Sequence, residues 1–198
     1  MKHENFFKSS ISKDEINTLP LNHFKGRIHL IENISQLASI GNNLKSHSIL
    51  GFDTETRPTF RKGRLNKVAL LQLATSDEAF LIRINKTGLT DLLLSVFQDE
   101  NITKVGLAIK DDLNSLQRYD RFEPEGFIDL QQFVKQYSIE DNGLKKLTAN
   151  ILGFRISKRQ QTSNWEKEVL DDDQLTYAAT DAWVCLEIYK KLLDHYDK

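Results

Sequence analysis

The sequence predicts a single α/β domain built around a mixed β-sheet. Three short apolar runs follow one another early in the domain, and apolar runs then alternate with helical patterns, which is typical of a mixed sheet packed between helices. The chain has 198 residues, of which 39% are hydrophobic and 28% are charged. One domain with a sizeable core is therefore expected.

The composition excludes several classes of protein. The 27 basic and 28 acidic residues nearly balance, so a polybasic nucleic-acid coat is excluded and any binding face must be a local patch. Cys185 is the only cysteine in the sequence, which rules out an internal disulfide and a cysteine-ligated zinc finger. We see no secretory signal and no stretch of about 18 apolar residues that could cross a membrane. The expected location is the cytoplasm, with no membrane partner.

Residues 1–26 are interpreted as an N-terminal arm and residues 27–198 as the domain. In the arm, Ser12-Lys13-Asp14-Glu15 is a capping-box pattern that predicts one short helix before Pro20.

The elements of the domain follow from the spacing of its apolar residues. Short apolar runs predict strands at Ile28–Glu32, Ser48–Glu55, Val68–Ala74, Glu78–Ile84 and Lys104–Leu107. Helical spacing predicts helices at Ser35–Leu44, Leu89–Phe97, Lys110–Tyr119, Leu130–Tyr137, Leu144–Leu152 and Asp173–Asp194. Ligands in such sheets tend to bind at the ends of strands.

Two carboxylates end the second predicted strand, in Gly51-Phe52-Asp53-Thr54-Glu55. Successive side chains of a strand alternate between its faces, so Asp53 and Glu55 should point the same way and Thr54 the other. Two like charges on one face repel each other unless they are protonated or bridged by a cation, and hard divalent ions prefer oxygen ligands. The alternative is a strand end that simply emerges into solvent.

Two further acidic positions are candidates for the same chemistry. Asp111 and Asp112 follow the strand that ends near Gly106, where adjacent acids also suit the N-terminus of a helix. Tyr177 and Asp181 lie four residues apart in the last helix and therefore share a face, with small alanines around them. The alternative for this pair is a core tyrosine hydrogen-bonded to the aspartate on the next turn.

Taken together, the three motifs resemble the tyrosine-bearing branch of the DEDD superfamily of 3′–5′ exonucleases. That branch includes ribonuclease D, the proofreading domain of family A DNA polymerases and the Werner syndrome exonuclease. The resemblance covers about Ile28 to Leu193 and rests on Gly51–Glu55, Val105–Asp112, Ser163-Asn164-Trp165, Asp173-Gln174 and Tyr177–Ala182. The position of Gly106 and the apolar residues in the second motif selects Asp112 rather than Asp111.

The resemblance implies a ribonuclease H-like fold with a mixed five-stranded sheet, and hydrolysis from a 3′ end with two divalent cations, Mg²⁺ or Mn²⁺. It implies nucleoside 5′-monophosphates as products, with DNA slightly favoured over RNA. By motif, Asp53, Glu55 and Asp181 would hold one ion, Asp53 and Asp112 the other, and Tyr177 would orient the attacking water. The extra nucleic-acid-binding domains of many relatives have no counterpart in the sequence, so a homo-oligomer or a protein partner is an expected source of further binding.

Two segments carry basic residues and no acids, and they flank the acidic motifs. The two segments are Thr56–Ser76 and Gly143–Trp165. Their positive charge suits contacts to the phosphates of a nucleic-acid strand. The predicted nucleic-acid contacts are Arg57, Arg61, Lys62, Arg64, Lys145, Lys158 and Arg159. Phe60 and Trp165 are candidates for base stacking, although core packing suits Trp165 better.

Two other functions remain open at this point. One is a catalytically weak nucleic-acid-binding or scaffold protein that keeps the ribonuclease H-like fold. The other is an endonuclease of the same fold, against which the tyrosine-bearing third motif argues.

Overall fold

The computed structural model describes residues 6–58 and 66–196, which form a six-stranded sheet between two layers of helices. The strands are β1 (Arg27–Ile31), β2 (Ile49–Thr56), β3 (Val68–Ala74), β4 (Glu78–Ile82), β5 (Thr103–Gly106) and β6 (Phe127–Asp129). Their order in the sheet is β1-β4-β3-β2-β5-β6. β3 runs antiparallel to both of its neighbours and the other pairs are parallel, so the predicted mixed sheet is confirmed.

The sheet has six strands and not the expected five, because β6 was not predicted. This strand has 3 residues and follows Gly126 directly. So short a segment cannot show an alternating pattern, and its strand character comes from parallel pairing with β5, in which Lys104 faces Phe127 and Gly106 faces Asp129.

The helices agree with the predicted pattern, except for a short helix at Ile84–Thr87 that was not predicted, because Ile84 was assigned to the preceding strand, and for two differences at helix ends. They are α1 (Lys13–Thr18), α2 (Ile34–Lys45), α3 (Ile84–Thr87), α4 (Asp91–Phe97), α5 (Lys110–Leu116), α6 (Leu130–Phe133), α7 (Leu144–Leu147) and α8 (Asp172–Tyr196). The predicted helix at Leu130–Tyr137 is α6 continued by a 3₁₀ turn, and that at Leu144–Leu152 is α7 continued by a π-helical turn. Within the described residues, no helix is both long and apolar enough to span a membrane.

The two faces of the sheet are covered by different helices. Leu37 and Leu44 of α2 and Leu93 of α4 pack on the face that holds Phe52. On the other face lies α8, whose residues Ala178, Ala179 and Ala182 pack against β3 and β4.

The close approach of α8 to β2 depends on Gly51. A Cβ atom at Gly51 would lie 2.0 Å from the carbonyl oxygen of Ala182. Any larger residue would therefore push the helix away from the strand. This approach brings the middle of α8 next to the carboxylates that follow Gly51 on β2.

The N-terminal arm is held against the domain by Asp141. The predicted capping box forms at the start of α1, between Ser12 and Glu15. Further anchoring comes from the Asp141 carboxylate, which accepts hydrogen bonds from the Ser10 hydroxyl and the Ile11 N–H at 2.8 Å each and from Lys146 at 2.7 Å. Burial alone would raise the pKa of Asp141, but these hydrogen bonds outweigh it and hold the pKa below its usual value.

Asp141→Ala is expected to lower the free energy of unfolding by about 2–4 kcal/mol, because it removes a buried ionised acceptor from two arm donors and Lys146. Urea denaturation measures the loss. The matched control is Glu140→Ala, which removes an exposed acid next to it and should cost less than about 0.5 kcal/mol. An Asp141→Ala protein as stable as the wild type would contradict the anchoring role.

Candidate active site

Three carboxylates meet where β2 passes under α8. One carboxylate oxygen each of Asp53, Glu55 and Asp181 can be chosen so that all three lie within 4.8 Å of one another. Asp53 and Glu55 are half-buried on the same face of β2, as the alternation of strand side chains predicts, and Asp181 is buried. The sequence analysis therefore places these three side chains together correctly.

The side chain of Thr180, next to Asp181, joins α8 to the N-terminal arm. The Thr180 hydroxyl donates to the carbonyl oxygen of Thr176 at 2.6 Å and accepts the Phe24 N–H at 3.0 Å. The end of the N-terminal arm is thus bonded to the residue that precedes Asp181, and it lies against the site rather than away from it.

The carboxylates are electrostatically unfavourable to one another in the absence of a cation. Burial, followed by the charges of Asp181 and Asp112, raises the pKa of Asp53 well above its usual value. Burial and the charge of Asp53 raise the pKa of Glu55 to about 10. Burial raises the pKa of Asp181 to about 7, even though a hydrogen bond with Tyr177 and the positive charge of Lys158 act in the opposite direction.

Asp112 lies at the edge of this cluster and is held separately. Its carboxylate accepts a hydrogen bond from the Thr54 hydroxyl, and burial is the main cause that raises its pKa to about 6. Its charge contributes to the raised pKa values of Asp53 and Glu55. Asp111 is exposed, so the choice of Asp112 over its neighbour agrees with the structure. Both acids lie in the first turn of α5, where they also suit the helix dipole, and in the described residues the N-cap residue Ile109 makes no side-chain capping bond.

The turn from β5 into α5 is supported by the end of β6. Ala108 adopts a left-handed backbone with φ of 56°, and its N–H donates to the Asp129 carboxylate at 3.0 Å. Left-handed backbone is uncommon for residues other than glycine and persists where the surroundings hold it. Asp129 therefore helps to set where α5 starts and where Asp112 lies.

Tyr177 and Asp181 share a side-chain hydrogen bond on one face of α8. The ring of Tyr177 is 9% exposed and its centroid lies 6.0 Å from that of Trp165. Trp165 is fully buried, which agrees with core packing and not with base stacking. Its ring supports the side of Tyr177 that faces the core.

The predicted nucleic-acid contacts divide into three groups. Lys158 and Arg159 are exposed and lie near the carboxylates. The charge of Lys158 lowers the pKa of Asp181, and Arg159 lines a cleft together with Tyr177. Arg57 instead pairs with Glu166 at 3.5 Å, and Lys145 is half-buried in α7. The residues Phe60, Arg61, Lys62 and Arg64 lie outside the described part of the chain.

A cleft of about 290 Å³ opens beside Tyr177. One wall comes from the N-terminal arm at Asn22 and His23, and the opposite side includes Arg159 and Gln160. Most of these side chains carry hydrogen-bond donors, which suits a phosphate-bearing ligand. Tyr177 and Thr180 line the cleft, and Asp181 follows Thr180 on α8, so the cleft lies beside the carboxylate cluster.

The carboxylate cluster suits divalent metal ions. Its donors are oxygens, which Mg²⁺ and Mn²⁺ prefer, and they lie close enough to share one ion. The charge of Lys158 lowers the pKa of Asp181, but the pKa values of Asp53 and Glu55 stay raised by burial and by the neighbouring acids. A bound cation would supply further positive charge.

Sequence reasoning missed Thr54, Asp129 and the arm residues Asn22 and His23. Thr54 was expected only to point away from Asp53. Its hydrogen-bond partner Asp112 lies 58 residues further along the chain. Asp129 and the arm residues act through tertiary contacts, and no local pattern signals them.

Comparison with known proteins places the chain among exonucleases. Residues 28–197 match the family described as 3′–5′ exonuclease. A 3′–5′ exonuclease of Arabidopsis thaliana is 33% identical over 153 residues, which cover 74% of this chain and 53% of that protein. The mouse bifunctional 3′–5′ exonuclease/ATP-dependent helicase WRN is 30% identical, covering 93% of this chain and 14% of that protein.

A solved structure has the same architecture. The Nibbler EXO domain of Aedes aegypti superposes with a TM-score of 0.77 and 25% sequence identity, over 89% of this chain and 93% of that domain. The fold is therefore ribonuclease H-like, as expected. The chain spans less than two thirds of the length of either curated relative above.

Proposed function

Because the chain belongs to the 3′–5′ exonuclease family, we propose that it hydrolyses the terminal phosphodiester bond at the 3′ end of a nucleic acid and releases nucleoside 5′-monophosphates. The observation that carries the proposal is the cluster of Asp53, Glu55 and Asp181 with Tyr177 hydrogen-bonded to its edge. Dependence on divalent metal ions is a property of this family.

Two divalent cations, Mg²⁺ or Mn²⁺, are the proposed cofactors. Asp53, Glu55 and Asp181 would hold one, and Asp53 with Asp112 would hold the other. When bound, such ions lower the pKa of water and neutralise charge that develops on the phosphate and the leaving oxygen.

Tyr177 is proposed to orient the attacking water. Its pKa is raised above its usual value, first by burial and then by the charge of Asp181, so the phenol keeps its proton at neutral pH. A neutral phenol is a poor base but a good hydrogen-bond partner. The bond with Asp181 and the contact with Trp165 hold the hydroxyl at the edge of the cluster.

The substrate strand is proposed to run through the cleft beside Tyr177. Lys158 and Arg159 would contact its phosphates, while the arm residues Asn22 and His23 would form the other wall. We propose DNA as the slightly preferred substrate, because the third motif most resembles the Werner-type exonuclease. A homo-oligomer or a protein partner is proposed to add binding surface.

Arg159→Ala is expected to raise the KM for a single-stranded oligonucleotide several-fold with little change in kcat, because it removes one phosphate contact outside the reacting centre. The slope of log KM against log salt should also fall by about one unit. Steady-state kinetics at several salt concentrations measures both. Lys45→Ala is the matched control, since Lys45 is an exposed base on α2, across the sheet from α8. An equal response of the two variants would contradict the proposed path.

A gel time course tests the proposed activity. The substrates are 5′-labelled single-stranded DNA, a matched RNA, a 3′-recessed duplex and a circular single strand, each with Mg²⁺, Mn²⁺ or EDTA. The proposal expects a metal-dependent ladder that shortens from the 3′ end and an intact circle. Cleavage of the circle would indicate an endonuclease, and binding without any ladder would favour the scaffold function.

A further inference from the structure

Gln72 is a buried polar residue that the site as described does not use. Its side chain is 0% exposed, and within the described residues neither its amide nitrogen nor its amide oxygen has a hydrogen-bond partner. A buried amide without a partner is costly, and most such groups in proteins are bonded. Its place in the middle of β3, between leucines, therefore calls for a role.

The register of the sheet places Gln72 directly beside the carboxylate cluster. Gln72 is the cross-strand partner of Asp53 in the antiparallel pair of β2 and β3. On its other side it faces Leu81 of β4. Partners across an antiparallel pair have their Cβ atoms about 4.5–5.5 Å apart and on the same face of the sheet, within reach of a glutamine side chain.

The face that Gln72 shares is the face under α8. Leu70 and Ala74, two residues to either side of Gln72 on β3, belong to the cluster that contains Ala178 and Ala182 of α8. Strand alternation puts Gln72 on that same face. The amide thus lies in the layer that also contains Asp53 and Asp181, between the sheet and the helix.

We propose that Gln72 is a positioning residue for Asp53, whose carboxylate accepts a hydrogen bond from the Gln72 amide when a divalent cation is bound. A carboxylate that ligates a metal ion uses one oxygen on the ion and is usually hydrogen-bonded through the other, and such outer partners fix its orientation. Gln72 offers two donors at the only cross-strand position that faces Asp53 from β3. The proposal rests on the proposed metal-dependent function of the cluster.

The test is Gln72→Met, which keeps the length of the side chain and removes the amide. In EDTA the melting temperature should not fall, because an unpaired polar group is replaced by an apolar one. The Mg²⁺ concentration that gives half of the metal-induced thermal shift should rise about 10-fold, and kcat at subsaturating Mg²⁺ should fall by a similar factor, with the KM for the oligonucleotide unchanged.

Leu81→Met is the matched control, because Leu81 flanks Gln72 on the same face but away from Asp53, and all these values should stay at those of the wild type. Gln72→Leu provides a second variant if Gln72→Met folds poorly. Wild-type metal dependence in either folded variant would overturn the proposal. If the wild type shows a metal-induced thermal shift but no cleavage, the proposed activity fails while the thermal shift still decides the role of Gln72.

Discussion

Asp53→Asn is expected to reduce the rate of 3′-end cleavage about a thousandfold or more. Asp53 is the only carboxylate proposed to contact both cations, so its loss weakens both positions at once. A metal ion contributes several kcal/mol of charge stabilisation in a transition state, and about 1.4 kcal/mol corresponds to a tenfold change in rate. Asparagine keeps the shape of the side chain, so the loss reports the missing charge.

The measurement is a single-turnover time course on 5′-labelled single-stranded DNA with saturating Mg²⁺. The chain offers a matched control in Asp111→Asn, which removes an exposed carboxylate next to Asp112 and should leave the rate within about twofold of the wild type. Asp112→Asn should lower the rate strongly, and the contrast between these adjacent residues tests the assignment of the second motif.

Binding must be measured beside cleavage to separate an enzyme from a scaffold. In Ca²⁺, fluorescence anisotropy with the same DNA should give a similar Kd for the wild type and for Asp53→Asn. If the wild type binds DNA and neither protein cleaves it, the scaffold function is favoured. If both cleave at the same rate, Asp53 has no part in catalysis and the proposed site is wrong.

The parts of the site that sequence predicts are those set by local geometry. Asp53 and Glu55 share a face because strand side chains alternate, and Tyr177 meets Asp181 because residues four apart share a face of a helix. Both relations hold whatever the rest of the chain does. Together with the resemblance to exonucleases, they were enough to bring four residues of the candidate site together correctly.

The parts that sequence does not predict depend on contacts between distant segments. Thr54 was assigned to the far face of β2, and only the fold shows that its hydroxyl donates a hydrogen bond to Asp112. Likewise, a run of basic residues marks a charged segment without saying what each residue meets: Arg57 pairs with Glu166, whereas Arg159 faces the cleft.

The cluster of acids should also control stability, in a direction opposite to that of most carboxylates. Burial raises the pKa of Asp181 to about 7, and burial together with the charges of the neighbouring acids raises that of Glu55 to about 10. In the unfolded chain these groups titrate near about 4, so above that pH the folded protein holds protons that the unfolded chain has released. The contribution of these carboxyl groups to stability is therefore fully present below about pH 4. It is lost as the pH rises through their pKa values in the folded protein.

We expect the metal-free protein to lose stability from about pH 4 to about pH 7, where the folded protein still holds the Asp181 proton that the unfolded chain has released, and to lose more up to about pH 10 through Glu55. At pH 7.5 in EDTA, Asp53→Asn should be more stable than the wild type by about 1–3 kcal/mol, because asparagine avoids the cost of keeping a buried carboxyl group either protonated or charged beside other acids. For a chain of this size that is a rise in Tm of roughly 2–4 °C for each kcal/mol. Calorimetry at several pH values in EDTA measures both effects, with Asp111→Asn again as the control.

Divalent metal should reverse the order of the two proteins. Ligating carboxylates must be ionised, so metal binding removes the repulsion and stabilises the wild type more as the pH rises. At a metal concentration 1,000 times its Kd, the gain is about 4.1 kcal/mol, which exceeds the advantage of Asp53→Asn in EDTA. Asp53→Asn should lose most of that gain, so that the variant which is more stable in EDTA becomes the less stable protein in Mg²⁺. A wild type that is insensitive to Mg²⁺ at pH 8, or a variant destabilised in EDTA, would mean that these carboxylates are held together by protein contacts and not poised for a cation.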